Sequence, residues 1–245
     1  MRDIIIFMKK ILGGIRDVCR DFELISENDV IAVGVSGGKD SIVLLKALAL
    51  YRYFSPAKFT LKAITLDMGL FSPDTDAIGD FCRELQVDYH VEHTQIGNVV
   101  FEIRGESNPC SLCANMKRGV LCSTAKELGC NKLALGHHFD DALETLFLNL
   151  FYGGRMATFS PTSYLDRSDI TVIRPMIYAS EGDVVDCAKR NALPVFKSGC
   201  PADGFTKRED IKRFISETEK TYPDVKKKFL KALKSKSTQR LWYDG

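Results

Sequence analysis

The sequence predicts an α/β fold: an open parallel sheet with helices on both faces, followed by a basic helical C-terminal extension. Three observations carry this. Short apolar, β-branched runs alternate with helix-length segments, the pattern of βαβ units. The first apolar run, residues 29–35, ends in Ser36-Gly37-Gly38, a strand-to-helix turn. Past Cys200 the alternation stops and the chain becomes helical and rich in lysine.

The elements follow in order. Residues 1–12 read as an amphipathic helix. Strands are expected at 29–35, 59–66, 87–92, 132–135 and 171–174, and helices at 40–54, 74–85, 114–128, 140–150 and 181–190. In the helix at 40–54, Ile42, Val43, Leu44, Leu45, Leu48 and Leu50 cover most of the surface, so it is expected to be buried. Residues 153–169, rich in Ser, Thr, Pro and Asp, read as a loop. Two more helices, 209–220 and 224–235, flank Pro223. Right-handed crossovers place the helices on both sheet faces. The linear division is an N-terminal helix (1–28), a nucleotide-type domain holding the notable cysteines (29–200) and a basic helical region (201–245).

Composition narrows the class. Of 245 residues, 45% are hydrophobic, enough for a sizeable core. There is no run of about 18 apolar residues, so no membrane span is expected, and the N-terminal apolar stretch lacks the cleavage site of a signal peptide; a cytoplasmic location is expected. The net charge of +2 is uninformative. Its distribution is not: residues 206–240 hold 12 Lys/Arg against 5 Asp/Glu, the footprint of a nucleic-acid contact or of a solvated helix face.

Ser36-Gly37-Gly38-Lys39-Asp40-Ser41 opens a helix directly after a strand. Free backbone N–H groups and the positive helix end form an anion site there. Gly37 and Gly38 allow close approach to phosphate, Lys39 adds charge, and Ser36 and Ser41 add hydroxyls. It is not a Walker A loop, since Val33 and Asp40 stand where that pattern needs Gly and Ser/Thr. Asp67 ends the second strand, on the crevice side of an open sheet, where a carboxylate is suited to hold Mg²⁺ or act as a general base. The fourth strand runs into Gly136-His137-His138-Phe139-Asp140-Asp141. His137 and Asp141 are candidates for phosphate or Mg²⁺, and Asp140 for a helix N-cap. His90 and His93 are read as structural.

Eight cysteines need explaining. Cys19, Cys82, Cys122, Cys130 and Cys187 sit singly in helical surroundings and are read as small buried hydrophobes. Cys110 and Cys113 form a Cys-x-x-Cys, and Cys200 follows much later. Spacing leaves four readings open: an iron–sulfur cluster on three thiolates with one iron open to an outside ligand, zinc, a redox dithiol, or no site.

Taken together, the Ser-Gly-Gly-Lys-Asp-Ser loop, Leu66-Asp67, Pro109-Cys110-Ser111-Leu112-Cys113, Gly136-His137-His138-Phe139-Asp140-Asp141, Leu146-Phe147-Leu148-Asn149-Leu150-Phe151-Tyr152-Gly153-Gly154 and the lone Cys200 resemble the TtcA family of the PP-loop ATPases, the tRNA 2-thiocytidine synthetases. The likeness runs from about Val30 to Pro223 and includes Lys117-Arg118-Gly119-Val120-Leu121. It departs at Cys122, where the family has an aromatic residue, and at Lys197, where members often carry another cysteine; Pro201-Ala202-Asp203-Gly204 also differs and points to a divergent subgroup.

The resemblance implies ATP bound with Mg²⁺ over residues 36–41, with His137 and Asp141 also at the nucleotide, and Asp67 and Lys39 in catalysis. It implies a [4Fe-4S] cluster on Cys110, Cys113 and Cys200. The implied reaction is adenylation of a base C2 oxygen in tRNA, with release of pyrophosphate, then replacement of that oxygen by sulfur, with cytidine as target. A cysteine desulfurase or free sulfide would donate the sulfur, and the oligomeric state, a homodimer among the options, stays open. The alternative is another PP-loop enzyme, a tRNA lysidine synthetase or an amide ligase, with a structural zinc.

Overall fold

The computed structural model describes residues 2–70, 72–104, 109–196, 200 and 207–235. Lys197 and Pro201-Ala202-Asp203-Gly204, named above as departures, lie outside them. The chain divides into two compact units, Met1–His138 with Ser160–Asp203, and Phe139–Phe159 with Gly204–Gly245. The segment Phe139–Phe159, which the linear division assigns to residues 29–200, thus groups with the C-terminal helices.

The first unit is built on a six-stranded sheet ordered β3-β2-β1-β4-β6-β5. Its strands are β1 (Asp29–Gly34), β2 (Phe59–Asp67), β3 (Asp88–His93), β4 (Lys132–Ala134), β5 (Thr162–Leu165) and β6 (Ile170–Ile173). Five strands are parallel. The sixth, β5, lies within the stretch expected to be a loop and pairs antiparallel with β6 at the edge. Only four residues long, it mixes polar and apolar residues and gives no alternating signal that sequence reading can use.

Helices cover both faces, as expected. On one side lie α1 (Arg2–Phe22), α2 (Lys39–Tyr51), α3 (Thr75–Glu84) and α7 (Glu181–Arg190). Met8, Ile11, Leu12, Ile15 and Val18 form the buried stripe of α1, at helical spacing. The helix expected over residues 1–12 continues to Phe22. Helix α2 is buried along Ile42, Val43, Leu44, Leu45, Ala47, Leu48 and Ala49, as its composition demands. On the other side lie the short α4 (Ile96–Asn98), a π-helical segment Val99–Arg104 and α5 (Pro109–Glu127). There Ala32, Ile64, Leu66, Ile96, Val100, Cys113, Ala125, Leu133 and Val172 form one core cluster. Helix α5 begins five residues before the expected start, so Cys110 and Cys113 stand in its first turns.

At the N-terminal end of the sheet, Asp29 is only 4% exposed. Its carboxylate lies 2.7 Å from the Lys132 ammonium and accepts from Asn131 Nδ2 at 2.7 Å and from the Ser26 amide at 2.6 Å. This network staples β1 to β4. At the opposite end the same two strands separate two directions of winding: β1 leads to β2 on one side, while β4 lies on the other. Gly136, just beyond β4, packs onto the backbone of α2, where a Cβ would meet the Asp40 carbonyl carbon at 3.0 Å.

The second unit consists of α6 (Phe139–Gly153), α8 (Lys207–Thr221) and α9 (Val225–Lys234). Phe139, Leu143, Leu146, Phe147, Ile211 and Ile215 form its core, with Phe229 and Leu230 against it. Glu144, 2% exposed, is held by Arg208 Nη1 at 2.8 Å. Asp140 is not an N-cap: it lies inside the first turn of α6 and pairs with Lys226 at 3.1 Å. Among the described residues no helix is long and apolar enough to cross a membrane.

Two substitutions test these packing arguments. Asp29→Ala leaves the Lys132 ammonium without its carboxylate in a dry site, and should lower unfolding stability in urea by about 3–5 kcal/mol. Gly136→Ala forces a methyl group into the α2 backbone, and should cost about 1–3 kcal/mol in the same assay.

Candidate active site

The topology fixes where a ligand goes. In an open α/β sheet the crevice lies beyond the carboxyl ends of the strands, at the point where the winding reverses, here between β1 and β4. Residues 35–38 fill the gap between β1 and α2. Gly38 is the N-cap residue of α2, and no side chain caps that helix end. Its first amides are therefore available to an anion. Gly37 adopts φ +82°, a conformation that strains any other residue. The hydroxyls hold the loop in shape: Ser41 Oγ donates to the Gly38 carbonyl at 2.9 Å and accepts from the Ser36 amide at 3.1 Å.

Lys39 is flanked by two carboxylates, Asp40 at 3.2 Å and Glu181 at 3.0 Å. Burial pulls the pKa of its ammonium down, but the two acids outweigh burial and the net shift is upward. Lys39 therefore stays charged, and its partner Glu181 comes from the first residue of α7. Sequence reading passed over Glu181, because nothing in the chain signals that α7 starts beside the loop. Asp40 also faces the buried His138, whose Nε2 lies 3.6 Å from Oδ1. Among the neighbouring sequence candidates, His137 is half-buried in the turn after β4. Asp141 belongs to the second unit, where its carboxylate faces Arg208 at 3.5 Å.

Asp67 ends β2 as expected, in register with His93 of β3. Both of its oxygens are engaged. Oδ1 accepts from the Ser72 hydroxyl and from the Gly69 amide at 3.0 Å, and Oδ2 lies 2.8 Å from His93 Nδ1. These donors, Ser72 foremost, pull its pKa down to about 2. A carboxyl group so strongly ionised is a poor proton acceptor at neutral pH, which argues against the general-base reading. His93, read from the sequence as structural for want of an evident partner, has one in Asp67. Its pairing with Asp67 could be found only from the register of two strands. His90, on the other face of β3, meets Glu92 at 3.2 Å.

The cysteines separate into two groups. Cys82, Cys122, Cys130 and Cys187 are buried in the core, and Cys19 is partly buried. Burial pushes the pKa of Cys19 up to about 12, and those of Cys82 and Cys187 to about 11. Such thiols are inert packing groups. Cys110 is exposed, Cys113 buried and Cys200 half-buried. Burial raises the pKa of Cys113, the Lys117 ammonium opposes that rise, and Cys200 and Cys110 add to it. Cys200, 87 residues further along the chain, is thus close enough to Cys113 to act on its thiol. Among the described residues no three His, Cys, Asp or Glu side chains converge on a single metal ion. Cys110 stands one helical turn before Cys113 on α5, and Cys200 acts on Cys113 from outside that helix.

The core joins Cys113 to the β2 end. Leu66 and Met68, the neighbours of Asp67, pack in the same core cluster as Cys113. On the other side, the Phe196 amide donates to the Gly37 carbonyl of the phosphate loop at 2.9 Å.

A family model described as a PP-loop domain matches residues 10–218. The chain is 42% identical over 228 residues to the tRNA-cytidine(32) 2-sulfurtransferase of Geobacter sulfurreducens, covering 92% of this chain and 89% of that protein. To the enzyme of the same name from Syntrophotalea carbinolica it is 43% identical over 216 residues, 87% and 83% of the two chains. Among solved structures, the U34-tRNA thiolase NcsA from Methanococcus maripaludis with its [4Fe-4S] cluster superposes with a TM-score of 0.75 at 26% identity, covering 92% of this chain and 76% of that one. The chain belongs to the PP-loop proteins and, within them, to the TtcA family of tRNA-cytidine 2-sulfurtransferases.

Proposed function

We propose that this protein replaces the C2 oxygen of a tRNA cytidine with sulfur, consuming ATP and releasing AMP and pyrophosphate. One observation carries the reading: a phosphate loop of non-Walker type lies in the same unit as Cys113, whose thiol feels both Cys110 and Cys200 and which packs with the β2 end. The names of the relatives and of the NcsA structure support it.

In this reading, ATP accompanied by Mg²⁺ lies over Ser36, Gly37, Gly38, Lys39, Asp40 and Ser41, with His137 and Asp141 as further nucleotide contacts. The cytidine C2 oxygen attacks the α-phosphorus and pyrophosphate leaves. The loop amides and the Lys39 ammonium offset charge that grows on the phosphoryl oxygens. Adenylation converts a poor leaving oxygen into AMP. Cys110, Cys113 and Cys200 would hold a [4Fe-4S] cluster, whose chemistry there would be to carry sulfur to the base. The sulfur source is a cysteine desulfurase or free sulfide, and the location is cytoplasmic. For tRNA phosphates, the exposed Lys228 and Lys231 of α9 are better placed than Lys226, which is engaged by Asp140 and Glu219, each at 3.1 Å.

Two measurements test this. After anaerobic purification, iron and acid-labile sulfide are assayed, and tRNA treated with ATP, Mg²⁺ and sulfide is digested for nucleoside analysis. About four irons per chain and new 2-thiocytidine are expected, both lost in Cys200→Ala. Fully loaded protein that leaves cytidine untouched would sink the proposal. Glu181→Gln, which releases Lys39 from one carboxylate, should tighten ATP·Mg²⁺ binding roughly two- to fivefold, the worth of a part-exposed ion pair, as read by equilibrium titration.

A further inference from the structure

Asp67 is set up to orient a base and is ill suited to be one. Its Oδ1 takes two protein donors and its Oδ2 faces the imidazole of His93. An ionised carboxylate only accepts hydrogen bonds, so the ring nitrogen facing it, Nδ1, carries the proton. In the neutral ring this leaves the lone pair on Nε2. Among the described residues nothing bonds to Nε2, and the His93 side chain is 78% exposed. A carboxylate fixing Nδ1–H, with Nε2 turned outward, is the arrangement by which an acid positions a histidine as a proton acceptor.

The pair also lies on the correct face. Side chains alternate along a strand, so His93 shares a face of β3 with Tyr89, whose ring would contact a Cβ at Gly79 of α3. Helix α3 likewise approaches the phosphate loop, where a Gly37 Cβ would lie 3.5 Å from Ile78. Asp74 and Asp76, at the start of α3, also act on Tyr89 from this side. Glu92 projects to the opposite face, where it meets His90 and Thr124 of α5.

We propose that His93 is the proton acceptor of the sulfur-transfer step and that Asp67 is its positioning residue. The inference rests on the thiolation reading above. The step it assigns balances without an oxidant. Hydrosulfide adds through sulfur to C2 of the adenylated cytidine. The bond from C2 to the adenylated oxygen breaks, and AMP leaves with that oxygen and the bonding pair. The proton from sulfur passes to Nε2 of His93, leaving neutral 2-thiocytidine, and is then released to water. Adenylation itself, run by the phosphate loop, does not need His93.

The test separates the two half-reactions in the cluster-loaded protein. In His93→Gln, which keeps a polar side chain but no proton acceptor, single-turnover formation of 2-thiocytidine should fall roughly a hundredfold or more. The tRNA-dependent exchange of pyrophosphate into ATP should persist. In His93→Ala, added imidazole should restore thiolation; an exposed side chain leaves room for it, and a structural defect would not respond. Thiolation by His93→Gln at the wild-type rate, loss of pyrophosphate exchange together with thiolation, or no rescue by imidazole would each overturn the assignment. Wild-type protein that forms no 2-thiocytidine would remove the underlying reading, and this inference with it, an outcome distinct from active wild type beside active His93→Gln.

Discussion

The structure depends on one constraint: β1 is flanked by β2 on one side and β4 on the other, so the chain leaves the sheet in opposite directions from adjacent strands. A crevice must open where those connections part. The uncapped N-terminus of α2 faces it, and its amides have no side chain to satisfy them. Such a helix end is tolerated because water or an anion can take the place of a cap. Gly136 lets the β4 connection close down onto the same turn, within contact of the Asp40 backbone. The Asp29–Lys132 network holds β1 and β4 together at the far end, so the opening is confined to the carboxyl side.

Around that crevice the protein sorts its polar groups by how firmly each is held. Lys39 is shared between Asp40 and Glu181, an arrangement that keeps it charged yet leaves it exchangeable, since both acids are partly solvated. Asp67 is held from three directions and cannot easily change protonation or orientation. His93 is fixed at one nitrogen and open at the other. The thiolation proposed above would use all three behaviours: a mobile cation for the phosphates, a rigid anchor, and a group with an accessible lone pair.

The cysteines show the same logic applied to sulfur. Five are packing groups, four of them fully buried, and none has a charged thiolate to offer. Of the other three, Cys113 is buried beside a lysine and feels Cys110 and Cys200, Cys110 is open to solvent and Cys200 is half-buried. One thiol anchored in the core and one at the surface suit a group that must be held firmly yet exchange a ligand with the outside.

Local chemistry made much of this legible in advance. The βαβ alternation, the buried α2, the glycine loop and the division of cysteines into single and spaced ones are written in short segments. Each depends on neighbours within one turn or one strand. Sequence alone also placed Asp67 at a strand end on the crevice side. It did not reveal β5, because a four-residue edge strand is defined by its partner rather than by its own pattern. Nor did it reveal that α6 groups with α8 and α9, whose shared core joins residues some seventy positions apart. The pairings around the candidate site, Lys39 with Glu181 and Asp67 with His93, are contacts between elements, and Cys200 acts on Cys113 from a distant part of the chain. Their existence follows from strand register and helix docking, and those are fixed only when the whole sheet closes its core.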